Sequence, residues 1–407
     1  MDVIIKGQGA SYGISSGPLK HVFNEDSARE IKSGDIVFSD SLTPTLAAIA
    51  RNASGFIICG IEADHTVGYL RETWKPAVLV DSIDKFNEGE EVTIDGFSGE
   101  VYKGVVKLEE RSFRDFTGKL KTKIYLEHGV PRMAQRMAKL NTSGVGLFRL
   151  NIMIQEMGKH PEYFFKNKKE QDLQKLLGDS IYEVAKAFNP RPVWVRTMDL
   201  DSSFISKYEG GEHEENEKNP MLGLRGLARD LKYRHILELQ YRAIKSVVDM
   251  GFANIGVLYP LVRDVSEYIQ AKKIMGNCGL IPHKDVRVGT IFETPSSCLQ
   301  IKEFIDEGLD FAFFGINDMT QYTMAVDRSN PNMRHMYNPS NTAVLHLLFF
   351  FLEECKKSNI ETTMTFLSPL KPLLRKMISS GLTSLTIQSD RLKEIGELLE
   401  KAEKEVR

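Results

Sequence analysis

Alternation of strand-like and helix-like segments over the last two thirds of the sequence constrains the fold most strongly. Amphipathic segments of helical length separate most of the short apolar runs in this region. Strands that alternate with helices predict a parallel sheet, and eight such units predict closure into a (β/α)8 TIM barrel. An open, doubly wound parallel sheet is the alternative. The eight predicted strands lie at 122–127, 144–148, 193–196, 254–258, 286–292, 311–315, 362–365 and 384–387.

The first hundred residues have a different pattern, in which short strand-like runs are broken by turn residues. The runs lie at 2–5, 35–39, 55–59, 77–80 and 91–95. This spacing is typical of a small mixed α/β domain. The charged segment that follows has little apolar pattern, so we interpret it as a linker, with an exposed helix as the alternative. The predicted division is a small domain at 1–106, a linker at 107–121 and the barrel at 122–407.

Composition excludes several classes of function. The 407 residues include 53 Lys and Arg against 55 Asp and Glu, so no overall charge favours nucleic acid or an anionic membrane as a partner. No apolar run reaches the ~18 residues of a membrane-spanning helix, and the N-terminus lacks the apolar stretch of a signal peptide. The four cysteines are scattered without CxxC pairs, which argues against a disulfide framework or a zinc site. We therefore expect a cytoplasmic enzyme.

Charged residues follow several of the predicted barrel strands. Catalytic groups of a parallel barrel come from the carboxyl ends of its strands. Guanidinium groups bind phosphate or carboxylate in a bidentate manner, and a hard cation such as Mg²⁺ binds carboxylate oxygens. Together they predict a metal-assisted phosphoryl or carboxylate site, the alternative being salt bridges at the barrel rim. The candidates are Arg149, Arg196, Arg225, Glu293, Asn317, Asp318 and Arg328.

A histidine motif gives the first family resemblance. Taken alone, His65 fits a structural role better than a functional one. However, the segment GIEADHTVGYLRETWKPAVLV at 60–80 resembles the phosphohistidine domain of phosphoenolpyruvate (PEP)-utilising enzymes. In that resemblance His65 occupies the phosphorylated position, Arg71 and Glu72 match an Arg-Glu pair, and Pro76 lies in the closing Pro-Ala.

The barrel segments resemble the same family, in particular PEP synthase and pyruvate phosphate dikinase. The matching segments are GVGLFR, VRTMD, LGLRG and GINDMTQYTMAVDR. The resemblance implies Mg²⁺ as the cofactor, with Glu293 and Asp318 as its ligands. It implies that the substrate-binding residues are Arg149, Arg196, Arg225, Asn317 and Arg328.

The family resemblance also implies a division of labour. A small swivelling β/β/α domain would carry a phosphoryl group on His65 to the Mg²⁺-dependent barrel site and a small-molecule acceptor. The 407 residues do not contain the family's ATP-grasp domain, so we expect a separate ATP-grasp subunit as the partner. Because barrels of this family commonly dimerise, a homodimer through the barrel is also expected.

Three departures from the family pattern bear on the acceptor. The family's catalytic cysteine has no counterpart between Thr362 and Met364, and a hydroxyl or thioether carries a proton poorly at neutral pH. Asp64 precedes the histidine in place of Cys or Ser, and Asn151 replaces a glutamate. The leading hypothesis is therefore a phosphotransferase acting on a hydroxyl-bearing acceptor, as in phenylphosphate-synthase-like enzymes. The alternatives are interconversion of pyruvate and PEP, as in PEP synthase, or an inactive regulator.

Overall fold

The computed structural model describes residues 2–59, 64–109, 113–215, 217–328, 330 and 332–406, without the side chains of residues 44, 64, 65 and 406. The chain forms two compact units. The first comprises Met1–Asp115, Gln155–Gly158 and Gln388–Lys393. The second comprises Phe116–Ile154, Lys159–Ile387 and Glu394–Arg407.

The first unit contains a mixed eight-stranded sheet in the order β1-β8-β7-β3-β4-β5-β6-β2. Strands β3 to β6 run parallel, whereas β7 and β8 form an antiparallel pair. Its three helices are α1 (Glu25–Arg29), α2 (Pro44–Ile49) and α3 (Asp64–Glu72). Its strands are β1 (Val3–Lys6), β2 (Gln8–Ser11), β3 (Ile14–His21), β4 (Ile36–Ser39), β5 (Gly55–Cys59), β6 (Ala77–Val80), β7 (Glu91–Asp95) and β8 (Glu100–Lys103).

The second unit contains a parallel eight-stranded sheet in the order β15-β14-β13-β12-β11-β10-β9-β16. A bridge between Thr365 and Thr386 joins the two outermost strands of that order. The sheet is therefore a nearly closed barrel, which confirms the TIM-barrel prediction against the open doubly wound sheet. Its strands are β9 (Lys123–His128), β10 (Gly144–Arg149), β11 (Val193–Arg196), β12 (Ile255–Tyr259), β13 (Arg287–Phe292), β14 (Phe311–Phe314), β15 (Glu361–Met364) and β16 (Ser384–Ile387).

Helices follow the barrel strands along the chain. In the longest of them, apolar residues such as Leu173, Leu177 and Ile181 recur every four residues and are buried, as an amphipathic helix requires. The helices are α4 (Ala134–Met137), α5 (Asn151–Met157), α6 (Pro161–Lys166), α7 (Glu170–Phe188), α8 (Ser202–Ile205), α9 (Gly226–Lys232), α10 (Arg234–Asp249), α11 (Val265–Asn277), α12 (Pro295–Leu299), α13 (Ile301–Asp306), α14 (Ile316–Met324), α15 (Thr342–Lys357), α16 (Leu374–Ser380) and α17 (Leu392–Val406). None of the described helices is long and apolar enough to cross a membrane.

The barrel interior is filled by large side chains. Trp194 stacks on Phe311 with ring centroids 4.1 Å apart, and Ile291 and Phe313 belong to the same buried cluster. Because side chains alternate between the two faces of a strand, the residue two positions after an interior residue also points inward. Two positions after Trp194 and Ile291 come Arg196 and Glu293, at the carboxyl ends of β11 and β13. The fold thus brings charged residues together at this end of the barrel.

Candidate active site

Strand register brings the predicted arginines together. Arg149 of β10 is paired with Arg196 of β11 at the carboxyl ends of the two strands. The guanidinium of Arg149 contacts Glu127 at the end of β9, with Nη1 2.9 Å from Oε1. Arg196 Nη1 lies 3.5 Å from Asp199 Oδ2, and its Nη2 donates to Asn151 Oδ1 at 2.8 Å. The neutral Asn151, which departs from the family pattern, therefore orients an arginine without neutralising its charge.

Arg225 is fixed by a two-point contact with Asp199. Its Nε and Nη2 donate to the two oxygens of that carboxylate at 3.2 and 2.8 Å. Although burial opposes its charge, Asp199 and Asp318 hold the pKa of Arg225 well above its usual value. By contrast, burial lowers the pKa of Arg196. The carboxylate at 199 therefore lies between two of the predicted substrate-binding arginines, a role that our sequence reasoning missed.

The two predicted metal ligands are both buried, with Glu293 and Asp318 each 7% exposed. The backbone N–H of Leu261 donates to Glu293 Oε2 at 2.7 Å, and Arg328 Nη2 lies 3.2 Å from Asp318 Oδ1. Burial, followed by repulsion from Asp318 and Asp199, raises the pKa of Glu293 above its usual range. A bound cation would relieve the unfavourable burial of charge at Glu293.

This donor set fits Mg²⁺. Hard divalent cations take oxygen ligands, and Mg²⁺ is typically held by one or two carboxylates together with substrate oxygens and water. The carboxylates of Glu293 and Asp318 satisfy that requirement, and the nearby Arg196 and Arg225 suit an anionic ligand that shares the ion. No other cofactor is indicated by these residues.

A glycine opposite Glu293 makes room for its side chain. Gly315 follows β14, and a Cβ built on it would lie 2.2 Å from Glu293 Cγ and 3.0 Å from Ile291 Cγ2. Any side chain at this position would displace the carboxylate. The FFGIND segment gave no hint of this steric constraint, because it arises only where β13 and β14 pair.

The two remaining predicted residues, Asn317 and Arg328, both interact with Tyr337. The hydroxyl of Tyr337 donates to Asn317 Oδ1 at 3.2 Å. Arg328 pairs with Asp318 and its backbone N–H donates to Gln321 Oε1 at 3.2 Å. Tyr337 is a further residue that the sequence did not single out.

The position predicted for the missing cysteine lies on β15. Thr363 of this strand is fully buried, and its Oγ1 lies 2.9 Å from Oγ1 of Thr386. Thr365, two positions further along and partly exposed, follows β15 as Gly315 follows β14 and Glu293 follows β13. Strand alternation points its side chain inward. Thr363 and Thr365 are therefore the two inward-facing hydroxyls at the carboxyl end of β15.

The histidine motif belongs to the first unit. His65 lies in the first turn of α3, and its side chain is outside the described residues. Arg71, at the other end of the helix, donates to Gln388 Oε1 at 2.6 Å and to the carbonyl of Ala10 at 2.5 Å. Glu72 is buried. The Arg-Glu pair of the motif is thus held by contacts within the first unit.

A second cluster has the spacing of a metal site but not the chemistry. His160, His213 and Glu214 place ligand atoms within 4.8 Å of one another. However, His160 Nδ1 accepts from the N–H of Glu162 at 3.0 Å, so Nε2 carries the proton and donates to Glu214 at 2.9 Å. Arg229 also pairs with Glu214. Although burial opposes it, hydrogen bonds from His160 and Arg229 lower the pKa of Glu214 to about 2, as in a structural ion cluster.

Comparison with known proteins decides the family. Residues 109–404 match the family model described as "PEP-utilising enzyme, PEP-binding domain". The chain belongs to the PEP-utilising enzymes. The match includes all eight barrel strands and the charged residues at their carboxyl ends. The predicted swivelling domain lies outside this match, which begins at residue 109.

Curated relatives of this family align with the chain over almost its full length. A probable phosphoenolpyruvate synthase of Pyrococcus horikoshii is 36% identical over 98% of the chain and 50% of its own length. The phosphoenolpyruvate synthase of Pyrococcus furiosus is 35% identical over 100% of the chain and 52% of its own length. The chain thus spans about half the length of the curated relatives that it matches.

Solved structures resemble the chain less closely. A malate synthase from Haloferax volcanii has a TM-score of 0.41 and 13% identity over 68% of this chain and 72% of its own. RipC from Yersinia pestis has a TM-score of 0.39 and 11% identity over 70% of this chain and 99% of its own.

Proposed function

We propose that this chain is a phosphotransferase that carries out the barrel half-reaction of a PEP synthase-like enzyme. In this reaction a phosphoryl group passes reversibly between PEP and His65, with pyruvate as the other product. The observation that carries the proposal is the buried pair of Glu293 and Asp318 beside the arginines of the barrel mouth. The curated relatives named phosphoenolpyruvate synthase favour this alternative over the phenylphosphate-synthase-like acceptor.

The substrate explains why arginines and carboxylates share one site. PEP carries both a phosphate and a carboxylate, and guanidinium groups bind each in a bidentate geometry. Arg149, Arg196 and Arg225 supply these groups from β10, β11 and the loop before α9. Arg328 and Asn317 supply further donors beside Asp318. Their fixed contacts orient the ligand before reaction, which is where enzymes gain much of their rate.

Mg²⁺ held by Glu293 and Asp318 would neutralise charge on the transferring phosphoryl group and on the oxygen that it leaves. The chain's own residues do the rest. The imidazole of His65 takes the phosphoryl group as the O–P bond of PEP breaks and an N–P bond forms. The enolate left behind takes one proton at its methylene carbon, which completes pyruvate. Asp199 and Asn151 keep the arginines in place throughout.

The source of that proton distinguishes this chain from the family pattern. The hydroxyl of Thr363 lies 2.9 Å from that of Thr386. Thr365 follows β15 with its side chain inward, and we propose that water beside this residue protonates the enolate. A hydroxyl is a weak proton donor at neutral pH, so protonation is slow relative to phosphoryl transfer. A hydroxyl-bearing acceptor, which needs no carbon protonation, is the second candidate, and the lack of a thiol at 362–365 is the observation that favours it.

We propose that a separate ATP-grasp partner supplies the ATP-dependent half-reaction by phosphorylating His65 from ATP. A dimer through the barrel remains a prediction.

A labelling experiment tests the proposal. Protein is incubated with Mg²⁺ and PEP labelled in its phosphoryl group, and acid-labile, base-stable label is measured on the wild type and on His65→Ala. We expect label on the wild type alone and one pyruvate released for each phosphohistidine formed. Label that persists on His65→Ala, or an unlabelled wild type, would overturn the proposal. Label only from ATP plus the ATP-grasp partner would move the assignment to the hydroxyl-bearing acceptor.

A further inference from the structure

A buried series of hydrogen bonds joins helices α9 and α10 to the segment 196–199, which begins at the last residue of β11. Asp230 of α9 is 4% exposed, and Gln240 of α10 is fully buried. The side-chain amide of Gln240 donates from Nε2 to Asp230 Oδ1 at 3.1 Å. Its Oε1 accepts from the backbone N–H of Met198 at 2.8 Å. This series of hydrogen bonds therefore ends at Met198, directly before Asp199.

We propose that Asp230 and Gln240 are positioning residues that hold the 196–199 segment in its ligand-binding conformation. This inference rests on the proposed function, because the ligand is taken to be PEP. The physical reason is the orientation of one amide. A carboxylate offers only acceptors, so it selects the rotamer in which Gln240 turns its NH₂ toward Asp230 and its oxygen toward Met198. The donor N–H of Met198 selects the same rotamer from the other end, so the two contacts reinforce each other.

Position 199 shows why this orientation matters for the ligand. Asp199 contacts both Arg196 and Arg225, so a small shift of its backbone displaces two guanidinium groups at once. An error of about 1 Å in a binding group costs on the order of a hundredfold in rate. The hydrogen bond that Gln240 accepts from the N–H of Met198 therefore controls the placement of two predicted substrate-binding residues, Arg196 and Arg225.

The groups around Asp230 have opposing effects on its pKa. Burial raises its pKa to about 7, the hydrogen bond from Gln240 and the nearby hydroxyl of Thr197 work against that rise, and Asp199 and Arg229 act in opposite directions. His160 lines a small cavity with Asp230, and Tyr241 and Tyr259 also interact with it electrostatically. Because Oδ1 can accept a hydrogen bond whether or not the group is protonated, the orientation of Gln240 persists on both sides of neutral pH.

Swapping the two groups gives a direct test. In Gln240→Glu the new carboxylate can still accept from Met198, but the donor to Asp230 is lost, so the two carboxyl groups repel each other once both are ionised. Adding Asp230→Asn restores a donor, since the new amide can donate to the new carboxylate. Asp230→Asn alone keeps an acceptor and is the conservative variant. Gln300→Leu is the matched control, because Gln300 also accepts from a backbone N–H, that of Val265, at 3.3 Å.

Two readouts are measured on each variant: the Kd for PEP in the presence of Mg²⁺, and amide hydrogen exchange of residues 197–200. We expect the effect of Gln240→Glu to grow as pH rises and both carboxyl groups ionise, weakening PEP binding by about tenfold or more at the alkaline end and speeding exchange at Met198 there. The double variant should return both to within about twofold of wild type, and Asp230→Asn and Gln300→Leu should leave both near wild type.

The outcomes separate the two proposals. A double variant that behaves like Gln240→Glu alone, or a Gln240→Glu variant with wild-type exchange, overturns the positioning role. If the wild type itself binds no PEP, the proposed function fails, while the hydrogen exchange of the same variants still decides whether the 196–199 segment depends on this pair. If Gln240→Glu does not fold, Asp230→Leu takes its place, because it removes the acceptor of Gln240 Nε2. Wild-type exchange at Met198 and wild-type PEP binding in Asp230→Leu would then overturn the positioning role.

Discussion

Replacing Gly315 with alanine should displace the side chain of Glu293 while the rest of the fold stays intact. The added Cβ would lie 2.2 Å from Glu293 Cγ and 3.1 Å from its Cδ, whereas carbon atoms in contact are about 3.5 Å or more apart. Glu293 must therefore move by about 1 Å, and its hydrogen bond from Leu261 N–H is strained or lost. We expect overpacking to cost about 1–3 kcal/mol of stability.

The functional effect should exceed the effect on stability. A displacement of about 1 Å in a ligand-binding group reduces rates on the order of a hundredfold. We expect Gly315→Ala to remain folded, to bind Mg²⁺ at least tenfold more weakly and to release pyruvate from PEP about a hundredfold more slowly. Thermal unfolding, calorimetric Mg²⁺ titration and a coupled pyruvate assay measure these three quantities.

A glycine in open space provides the control. A Cβ added to Gly276 in α11 would meet nothing within 4 Å, so Gly276→Ala should be neutral or stabilising by about 1 kcal/mol. It should leave Mg²⁺ binding unchanged. If Gly315→Ala binds Mg²⁺ and turns over PEP like this control, then Glu293 is not the ligand that the steric argument requires.

Three further predictions follow from the site. The pKa of Glu293 is raised in the folded state, so folding takes up a proton there. The free energy of unfolding should therefore fall as pH rises above the usual pKa of a glutamate, and Glu293→Gln should flatten this decline in urea titrations. Arg225→Lys loses the two-point contact with Asp199 and should weaken PEP binding by about tenfold in calorimetry. Glu214→Gln should lower thermal stability by about 1–3 kcal/mol, whereas chelation of zinc should not change the melting of the wild type.

The barrel could be predicted because its determinants are local. Each strand is a short apolar run, and the order of strands follows from their alternation with helices. The charged candidates followed from the same logic, since Arg149, Arg196 and Glu293 are the residues at or just beyond the ends of their strands. What the family adds is the chemistry that these groups serve.

The residues that sequence reasoning missed depend on contacts between distant segments. Gly315 matters only because β13 and β14 place Glu293 against it. Asp199 gains its role from Arg225, which lies 26 residues further along the chain. Gln240 reaches Met198 across 42 residues and two helices. No local pattern marks such positions, because burial and pairing are created by the closed sheet.

The position of the missing cysteine stays a prediction. Counting along the sequence from neighbouring landmarks gives 362–364, where Thr363 is buried against Thr386. An error of one position would move the side chain to the other face of the strand, and an error of two would move it one layer along the barrel. A count along the sequence therefore marks the segment but does not select the side chain.

The dependence of PEP binding on Mg²⁺ and on the acidic pair tests the central claim most directly. Calorimetric titration with PEP is performed on the wild type and on Asp318→Asn, each with Mg²⁺ and with EDTA. The account predicts that the wild type binds PEP at least tenfold more tightly with Mg²⁺ and that Asp318→Asn abolishes this difference. Equal binding of PEP by the wild type in Mg²⁺ and in EDTA would contradict it.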